Sequence, residues 1–180
     1  MTPSSDLPAI SVILSVKNGM PHLKSAIEGL LSQTYRNFNL VVQDGVSCDG
    51  SLEYLRGLDA FFPIDIVSEV DGNMTIGYAR AMRRATGDLV VAAACDEVLD
   101  ADALETYVQW YKEHPEAVFI YGGSRIVTDS PSQGRQSQLY QPPEFNFADY
   151  LYRRMCPTMA GAFNRRLLGE NLRLDESMKT

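Results

Sequence analysis

The amino-acid sequence predicts an α/β fold, in which a mostly parallel central sheet is flanked by helices on both faces. Short, β-branched apolar runs alternate with longer segments whose apolar residues recur at helical spacing. Each predicted strand is followed by turn-forming residues, as Ile10–Val16 is followed by Lys17-Asn18-Gly19. Strands that alternate with helices of this length pair in parallel through right-handed crossovers, and both sheet faces are then covered.

The predicted elements follow one another regularly as far as residue 128. Strands are predicted at Ile10–Val16, Phe38–Gln43, Ile64–Ser68, Leu89–Cys95 and Ala117–Tyr121, with a continuation of the last strand to Thr128 left open. Helices are predicted from Pro21 through Leu31 and at Ser51–Leu58, Asn73–Thr86 and Ala103–Glu113. Beyond them we expect loops at Asp129–Gly134 and Gln141–Pro143, and a short helix at Phe147–Arg153.

Composition and charge exclude several classes of protein. The 180 residues suit one domain, and a net charge of -7 argues against non-specific nucleic-acid binding. The three cysteines, Cys48, Cys95 and Cys156, form no close pair, so a disulfide framework is not indicated and a reducing compartment fits. The first eight residues do not form a signal peptide, and the longest apolar run is far shorter than the ~20 residues of a membrane span. We therefore expect a cytoplasmic protein, with peripheral attachment at the inner face of the membrane as an option.

Acidic and amide residues follow the first four predicted strands, where α/β sheets bind ligands. They lie in the segments Lys17-Asn18, Asp44-Gly45, Glu69-Val70-Asp71 and Asp96-Glu97. At any one of these places, Asp and Asn are common as turn formers and helix caps. Three carboxylate-bearing ends at one edge favour a functional site, and a polyanion bound there would require a cation.

Four segments together resemble the nucleotide-sugar-binding part of family 2 glycosyltransferases, which are inverting enzymes with a Rossmann-like, A-type fold. They are ISVILSVKNG, LLSQTYRNFNLVVQDGVSCDGSLEYL, VSEVDGN and RRATGDLVVAAACDEVLDADALE, and the second is the most specific. The resemblance implies one domain over residues 1–180, with a nucleotide-sugar-binding part at 9–128 and a partial acceptor-side part at 129–180. A dinucleotide oxidoreductase is excluded, because no GxGxxG follows the first strand.

The resemblance also implies a set of donor-binding residues. Ser15, Val16 and Asn18 would border the base of a UDP- or dTDP-sugar, and Asp44 would accept a hydrogen bond from the base ring. Asp96 would contact the ribose and a Mg²⁺ or Mn²⁺ ion on the diphosphate, with Glu97 as a further candidate ligand of the metal. The weaker donor-site candidates are Asp49, Glu69, Asp71, Arg80 and Cys95; the Cys95 thiol does not suit this metal.

Several positions depart from the family pattern. Ala94 stands where the family has the first acid of its DxD element, and Ile76, Ala79 and Ala81 replace an Asp, an Asn and a Gly. The general base of the family is expected after Thr180, so no catalytic residue is assigned. Two hypotheses remain: an inverting glycosyltransferase acting on a glycan or lipid-linked acceptor of the cell envelope, or a degenerate transferase domain that binds a nucleotide or a partner without turnover. A homodimer is left open.

Overall fold

The computed structural model describes residues 7–130, 132, 134–142 and 161–174. Its strands are β1 (Ile10–Val16), β2 (Phe38–Asp44), β3 (Ile64–Ser68), β4 (Leu89–Ala93), β5 (Phe119–Tyr121), β6 (Ser124–Ser130), β7 (Gly134–Tyr140) and β8 (Gly161–Asn164). Its helices are α1 (His22–Leu31), α2 (Ser51–Arg56), α3 (Met74–Arg84), α4 (Ala103–Glu113) and α5 (Arg165–Leu168), and a 3₁₀ turn follows at Gly169–Asn171. No helix in these ranges is long and apolar enough to cross a membrane.

The central sheet has six strands in the order β3-β2-β1-β4-β8-β5. The first four strands along the chain are parallel neighbours, and β8 pairs antiparallel with β4. The prediction of a mostly parallel α/β sheet is therefore confirmed. The chain builds outward from β1 to β3 and then returns to place β4 on the other side of β1, so the strand order reverses between β1 and β4. Ligand crevices of open α/β sheets lie at such reversals, at the carboxyl ends of the strands.

Alternate residues of the buried strands face two different apolar layers. On one face Val12, Leu40 and Val91 pack with apolar residues of α1, α2 and α4. On the other face Ile13, Val41 and Val90 pack with α3. Because both faces are covered, these strands read as continuous apolar runs in the sequence. The carboxyl ends of β1 to β4 then emerge together at one edge, which we call the carboxyl edge.

The helix and strand boundaries agree with the prediction as far as β4, apart from small shifts at their ends. β4 ends at Ala93, two residues before the predicted end, and α2 ends at Arg56 rather than Leu58. Helix α3 begins at Met74, because the side chain of Asn73 accepts a hydrogen bond from the backbone N–H of Ile76 and acts as the N-cap.

The later part of the chain differs more from the prediction. The predicted strand at Ala117–Tyr121 begins only at Phe119, and a separate strand, β6, replaces its continuation. The loop predicted at Asp129–Gly134 is wrong at both ends, because β6 reaches Ser130 and β7 starts at Gly134. Strand β8 was not predicted. The helix expected at Phe147–Arg153 lies outside the described residues, as does Cys156.

The described residues divide into two compact units, one of residues 7–120 with 162–174 and one comprising the rest. The second unit contains the antiparallel hairpin β6–β7, in which Ser124 pairs with Tyr140 and Ser130 with Gly134. Gly134 has a φ of 71° and lies at the turn, where a left-handed backbone favours glycine. The organisation predicted for residues 1–180 as one domain stays a prediction.

Gly87 marks a close approach between the α3–β4 connection and the start of β1. A Cβ at this position would lie 2.5 Å from the backbone nitrogen of Ser11 and 2.8 Å from the carbonyl carbon of Ile10. The N–H of Gly87 also donates to the Ser11 hydroxyl over 2.9 Å. Backbone atoms cannot rotate away, so a larger residue would have to push β1 and β4 apart.

We predict that Gly87→Ala lowers the free energy of unfolding by about 1–3 kcal/mol through overpacking. Urea unfolding followed by circular dichroism measures this change. Gly57→Ala is the matched control, because its nearest neighbour would be the Tyr54 carbonyl oxygen at 3.4 Å. Equal effects of the two substitutions would contradict the close approach at Gly87.

Candidate functional site at the carboxyl edge

Three consecutive backbone N–H groups after β1 are held by side chains of the loop after β2. Asn18 donates to the Ser47 hydroxyl over 2.8 Å, Gly19 to the Ser51 hydroxyl over 3.0 Å, and Met20 to Asp49 Oδ2 over 2.9 Å. In return, Asn18 Oδ1 accepts from the backbone N–H of Cys48 over 2.9 Å. We call this set of hydrogen bonds the clasp. It explains why Ser, Asp and Ser recur at alternate positions in the sequence SCDGS.

Asp44 stabilises the loop that contains the clasp residues. Its side chain is 0% exposed, and Oδ2 accepts from the Ser68 hydroxyl over 2.6 Å. Both carboxylate oxygens also accept from the backbone N–H of Ser47, at 3.1 and 3.3 Å. Between them Val46 is held at a φ of 63°, which a β-branched residue rarely adopts. Asp44 therefore fixes the path of the β2–α2 loop.

The Asp49 carboxylate also has its hydrogen-bond partners within the protein. Hydrogen bonding from Ser51, and further hydrogen bonds from the Met20 and Ser51 N–H groups, lower the pKa of the Asp49 carboxyl. Because Asp49 Oδ1 accepts from Ser51 N over 3.0 Å at the first residue of α2, it satisfies one of the free N–H groups of that helix. This arrangement favours the interpretation that Asp49 shapes the loop.

Arginines of α3 tie the helix to the sheet. Arg80 Nη1 donates to Glu69 Oε1 over 2.9 Å and to the Val70 carbonyl over 3.0 Å. Arg84 donates to Asp65 over 2.8 Å, to Gln43 Oε1 over 2.8 Å and to the Val42 carbonyl over 2.5 Å. Arg84 therefore links α3 to both β2 and β3. Its place on a helix surface in the sequence does not reveal this structural role.

Asp71 differs from the acids of the clasp. It is 8% exposed, yet its carboxylate has no hydrogen-bond or ion-pair partner among the described residues. A Cβ at Gly45 would lie 3.0 Å from Asp71 Oδ1, and a Cβ at Gly77 would lie 2.9 Å from Asp71 Oδ2 and overlap the Ser15 hydroxyl. Two glycines thus make room for Ser15 and Asp71 beneath α3.

Asp96 and Glu97 follow β4 at the same edge. Asp96 is exposed, and its carboxylate has no partner within the described ranges. Glu97 is half-buried, and its carboxylate accepts a hydrogen bond from the backbone N–H of Ala94. Burial and then the neighbouring charge of Asp96 raise the pKa of Glu97. Glu97 also lies close to Tyr107, whose pKa burial and the charge of Glu97 raise to about 12. A half-buried carboxylate beside a second carboxylate is stabilised by any cation that binds between them.

Cys95 separates these acids from the strand. Burial and then the charge of Asp96 raise the pKa of its thiol, and its Cβ would lie 3.2 Å from a Cβ placed at Gly19. The thiol is partly buried against the apolar layer of α1 and α4. Cys95 therefore lies directly beside Gly19, so the segment after β4 lies against the turn after β1.

Asp96 and Glu97 suit a divalent cation only if a bound ligand supplies the remaining coordinating oxygens. Among the described residues, no three His, Cys, Asp or Glu side chains lie close enough together to hold a metal ion. Mg²⁺ and similar ions commonly bind through one or two carboxylates together with phosphate oxygens. The acids present therefore fit such an ion when a diphosphate supplies further ligands.

The sequence analysis missed several residues that the structure brings to this edge. Gln43, Ser47, Ser51 and Ser68 make side-chain contacts there. The serines of the clasp belong to the quoted motif, but nothing in the motif says which backbone groups they bind. Gly77 did carry a signal, because glycine in the middle of a helix is unfavourable unless a close contact requires it.

The chain belongs to a family of transferases: residues 11–170 match the family described as Glycosyl transferase family 2. It is similar to putative glycosyltransferase EpsE of Bacillus subtilis, with 27% identity over 130 residues, which are 71% of this chain and 47% of EpsE.

Two solved structures share the fold. They are S. aureus TarS 1–349 in complex with UDP, at a TM-score of 0.75 and 17% identity, and the mannosyltransferase PcManGT from Pyrobaculum calidifontis in complex with GDP-Man and Mn²⁺, at 0.65 and 20%. Each match covers 96% of this chain, and 52% and 49% of the other chain. The chain thus spans about half the length of these relatives.

We predict that Glu97→Gln stabilises the protein at neutral pH and has less effect in acid. Because the folded-state pKa lies above the ordinary value of 4.5, the folded state binds this proton more tightly than the unfolded state does. The contribution of Glu97 to stability is therefore greatest below that value and is lost as the pH rises through the folded-state pKa. Guanidinium unfolding at about pH 4 and about pH 7.5 measures the difference between variant and parent.

The exposed Glu113 of α4 provides the control, as Glu113→Gln. It should change stability by a similar small amount at both pH values. A difference between Glu97→Gln and the parent that does not grow from acid to neutral pH would contradict the surroundings described for Glu97.

Proposed function

We propose that this chain is the donor-binding domain of an inverting glycosyltransferase. It binds a nucleoside diphosphate sugar, of the UDP- or dTDP-sugar class, at the carboxyl edge of β1 to β4. The sugar is transferred to a hydroxyl of a glycan or lipid-linked acceptor in cell-envelope synthesis. One observation carries this proposal: Asp71, Asp96 and Glu97 lie at that edge, and Asp71 and Asp96 have no partner in the described part of the chain, whereas Asp44 and Asp49 are engaged in the loop.

The three acids lie on two sides of the strand reversal. Asp71 follows β3 and stands under α3 beside the end of β1, and Asp96 and Glu97 follow β4. A nucleotide that crosses the reversal would place its base near Ser15 and Asp71, and its diphosphate near Asp96 and Glu97. Val16 and Asn18 then border the ribose side, and Arg80 holds the β3–α3 connection through Glu69. This assignment leaves Asp44, Asp49 and Cys95, which were also donor-site candidates, without a contact to the ligand.

The proposed cofactor is Mg²⁺ or Mn²⁺, held by Asp96 and Glu97. When bound, the cation neutralises negative charge that develops on the diphosphate as the bond to the sugar breaks. Asp96 is the exposed member of the pair and would contact the ion first. Glu97 is half-buried, and the ion would relieve the repulsion that raises the pKa of its carboxyl. Neutralisation of the diphosphate and relief of the repulsion at Glu97 both favour the protein with metal and nucleotide bound.

Ala94 favours a second candidate function. It removes one carboxylate from the position where the family places the first acid of its DxD element. A domain with this loss would bind a nucleotide diphosphate or a partner without turnover. Release of UDP from a UDP-sugar in the presence of a glycan acceptor distinguishes the two candidates, because only the transferase produces it in proportion to the enzyme.

We predict that the chain binds UDP with a Mn²⁺-dependent heat in calorimetric titration, and that Asp96→Asn removes the dependence on the metal. Loss of one of two metal-binding carboxylates should weaken UDP binding in Mn²⁺ by about tenfold or more. The same titration in the presence of a chelator gives the metal-free affinity of both proteins.

Asp59→Asn is the matched control, because Asp59 is an exposed aspartate in the turn after α2. It should bind UDP and Mn²⁺ as the parent does. If the parent binds UDP equally with and without Mn²⁺, the metal site at Asp96 and Glu97 is wrong. If the parent binds no nucleoside diphosphate, the proposed function is wrong.

A further inference from the structure

The segment SQTYRNF between α1 and β2 has no part in the donor site proposed above. Its second residue, Gln33, is 0% exposed. A fully buried glutamine takes two donors and an acceptor away from water, so its partners indicate what it does. Two of its hydrogen bonds reach residues 67 and 71 positions further along the chain. The side chain therefore connects α1 to the part of the chain that follows β4.

Gln33 fixes the far end of the loop between β4 and α4, residues 94–102, which we call the acidic loop. Its Nε2 donates to the Asp100 carbonyl over 2.8 Å, and its Oε1 accepts from the Leu104 N–H over 3.0 Å. The N-cap residue of α4, Asp102, makes no side-chain cap bond. Gln33 therefore satisfies a free N–H group at the start of α4 and holds the loop that leads into it.

Thr34 adds a second contact to the same end of the loop. Its backbone N–H donates to the Ala101 carbonyl over 2.8 Å, and its hydroxyl donates to Glu105 Oε2 over 2.7 Å. Glu105 lies in the first turn of α4. Gln33 and Thr34 thus hold the end of the acidic loop and the start of α4 together.

The acidic loop is also held at its start and in its middle. The Ala93 carbonyl, directly before the loop, accepts from the buried Tyr78 hydroxyl of α3 over 2.7 Å. A Cβ at Gly29 of α1 would lie 2.9 Å from Val98 Cγ1 and 3.1 Å from the Leu99 carbonyl oxygen. The loop therefore packs directly on α1 before it reaches the amide of Gln33.

We propose that Gln33 is a positioning residue for the metal-binding acids of the acidic loop; this inference rests on the proposed function. Asp96 and Glu97 lie between the bond at Ala93 and the bonds of Gln33. The structure describes every residue of the loop, and none belongs to a helix or a strand. A loop that is ordered before the ligand arrives loses less conformational freedom when metal and nucleotide bind, so both bind more tightly. Gln33 acts only through the path of the loop backbone.

A purely structural role for Gln33 makes a different prediction. Leu104, Tyr107 and Val108 of α4 are buried, so loss of the Gln33 amide lowers stability under either role. Only a positioning role also weakens the metal-dependent part of nucleotide binding in protein that remains folded. The ratio of UDP affinity in Mn²⁺ to UDP affinity in a chelator measures that part alone.

The test is calorimetric titration of the full 180-residue chain with UDP, in Mn²⁺ and in a chelator. Gln33→Met keeps the length of the side chain and removes its donors and its acceptor. It should lower the ratio of the two affinities by about tenfold, as loss of groups that hold metal ligands in place does. The affinity in the chelator should not change. In a chain that carries Asp96→Asn, Gln33→Met should lower the ratio no further, because both changes act on one metal site.

Hydrogen exchange provides a readout that needs neither nucleotide nor metal. In Gln33→Met the Leu104 N–H loses its acceptor, and the end of the acidic loop loses a bond to α1. Amides of residues 97–104 should therefore exchange about tenfold faster than in the parent, because this part of the chain opens more readily.

Gly29→Ala reaches the same loop without removing a hydrogen bond. Its added Cβ would press on Val98 and on the Leu99 backbone, and so displace the loop from α1. The ratio of UDP affinities should fall and loop exchange should rise, as in Gln33→Met. This variant carries the test if Gln33→Met fails to fold by circular dichroism.

Tyr35→Phe is the matched control. Tyr35 lies two residues after Gln33 in the same segment and is buried, and its hydroxyl donates to the Pro8 carbonyl over 2.6 Å. Pro8 precedes β1, so this bond lies at the edge of the sheet opposite to Asp96. The substitution removes a buried hydrogen bond but should leave the ratio of UDP affinities and the exchange of the acidic loop as in the parent.

The possible failures are distinguishable. If the parent shows no Mn²⁺-dependent binding of UDP, the proposed metal site fails, and the positioning role fails with it. If the parent shows that dependence and Gln33→Met keeps the ratio of the parent, only the positioning role is overturned. The same holds if Tyr35→Phe lowers the ratio as much as Gln33→Met does, or if Gln33→Met leaves the exchange of the loop unchanged.

Discussion

The clasp between the β1–α1 turn and the β2–α2 loop is the interaction on which the carboxyl edge depends. Side-chain hydrogen bonds hold three consecutive N–H groups after β1, those of Asn18, Gly19 and Met20, and the bond of Gly19 is buried. Side-chain oxygens from the next βα unit accept all three, and buried Asp44 holds the loop that supplies them. Two neighbouring strand ends thereby become one rigid surface, which a binding site requires.

This constraint separates the acids of the edge into two kinds. Asp44 and Asp49 have their oxygens bound by serine hydroxyls and backbone N–H groups, so they form the scaffold. Asp71 and Asp96 have no partners in the described ranges, and Glu97 has only a backbone hydrogen bond from Ala94 there, so these three acids remain available to a ligand. The sequence motif alone does not make this distinction, because an aspartate at a strand end looks the same in both roles. What separates them is the burial and the hydrogen bonds of each carboxylate.

Sequence periodicity predicted β1 to β4 and α1 to α4 because these elements are buried by packing, which requires apolar residues at regular intervals. The hairpin β6–β7 was missed because its second strand, GRQSQLY, is polar on both faces and lacks that pattern. Strand β8 has four residues, too few for a period to appear. Asn164 in β8 is nearly fully buried and bonds the carbonyls of Pro115 and Ala117, contacts that only the folded chain reveals.

The candidate site was predictable to a similar extent. The carboxyl ends of parallel strands must share an edge, so Asp44, Asp71 and Asp96 could be placed near one another from the sequence. Gln43 could not, because its significance comes from Arg84, which lies on a different element 41 positions along the chain. A buried amide becomes informative only when one of its two polar atoms is satisfied and the other is not.

A crystal structure of the chain with UDP and Mn²⁺ tests the central claim most directly, that the clasp is scaffold and the unpartnered groups bind the donor. We expect the clasp hydrogen bonds to stay unchanged, the base to lie near Ser15 and Asp71, and the metal to bind Asp96. A base bonded to Asp44, with the bonds from Ser47 and Ser68 broken, would contradict it.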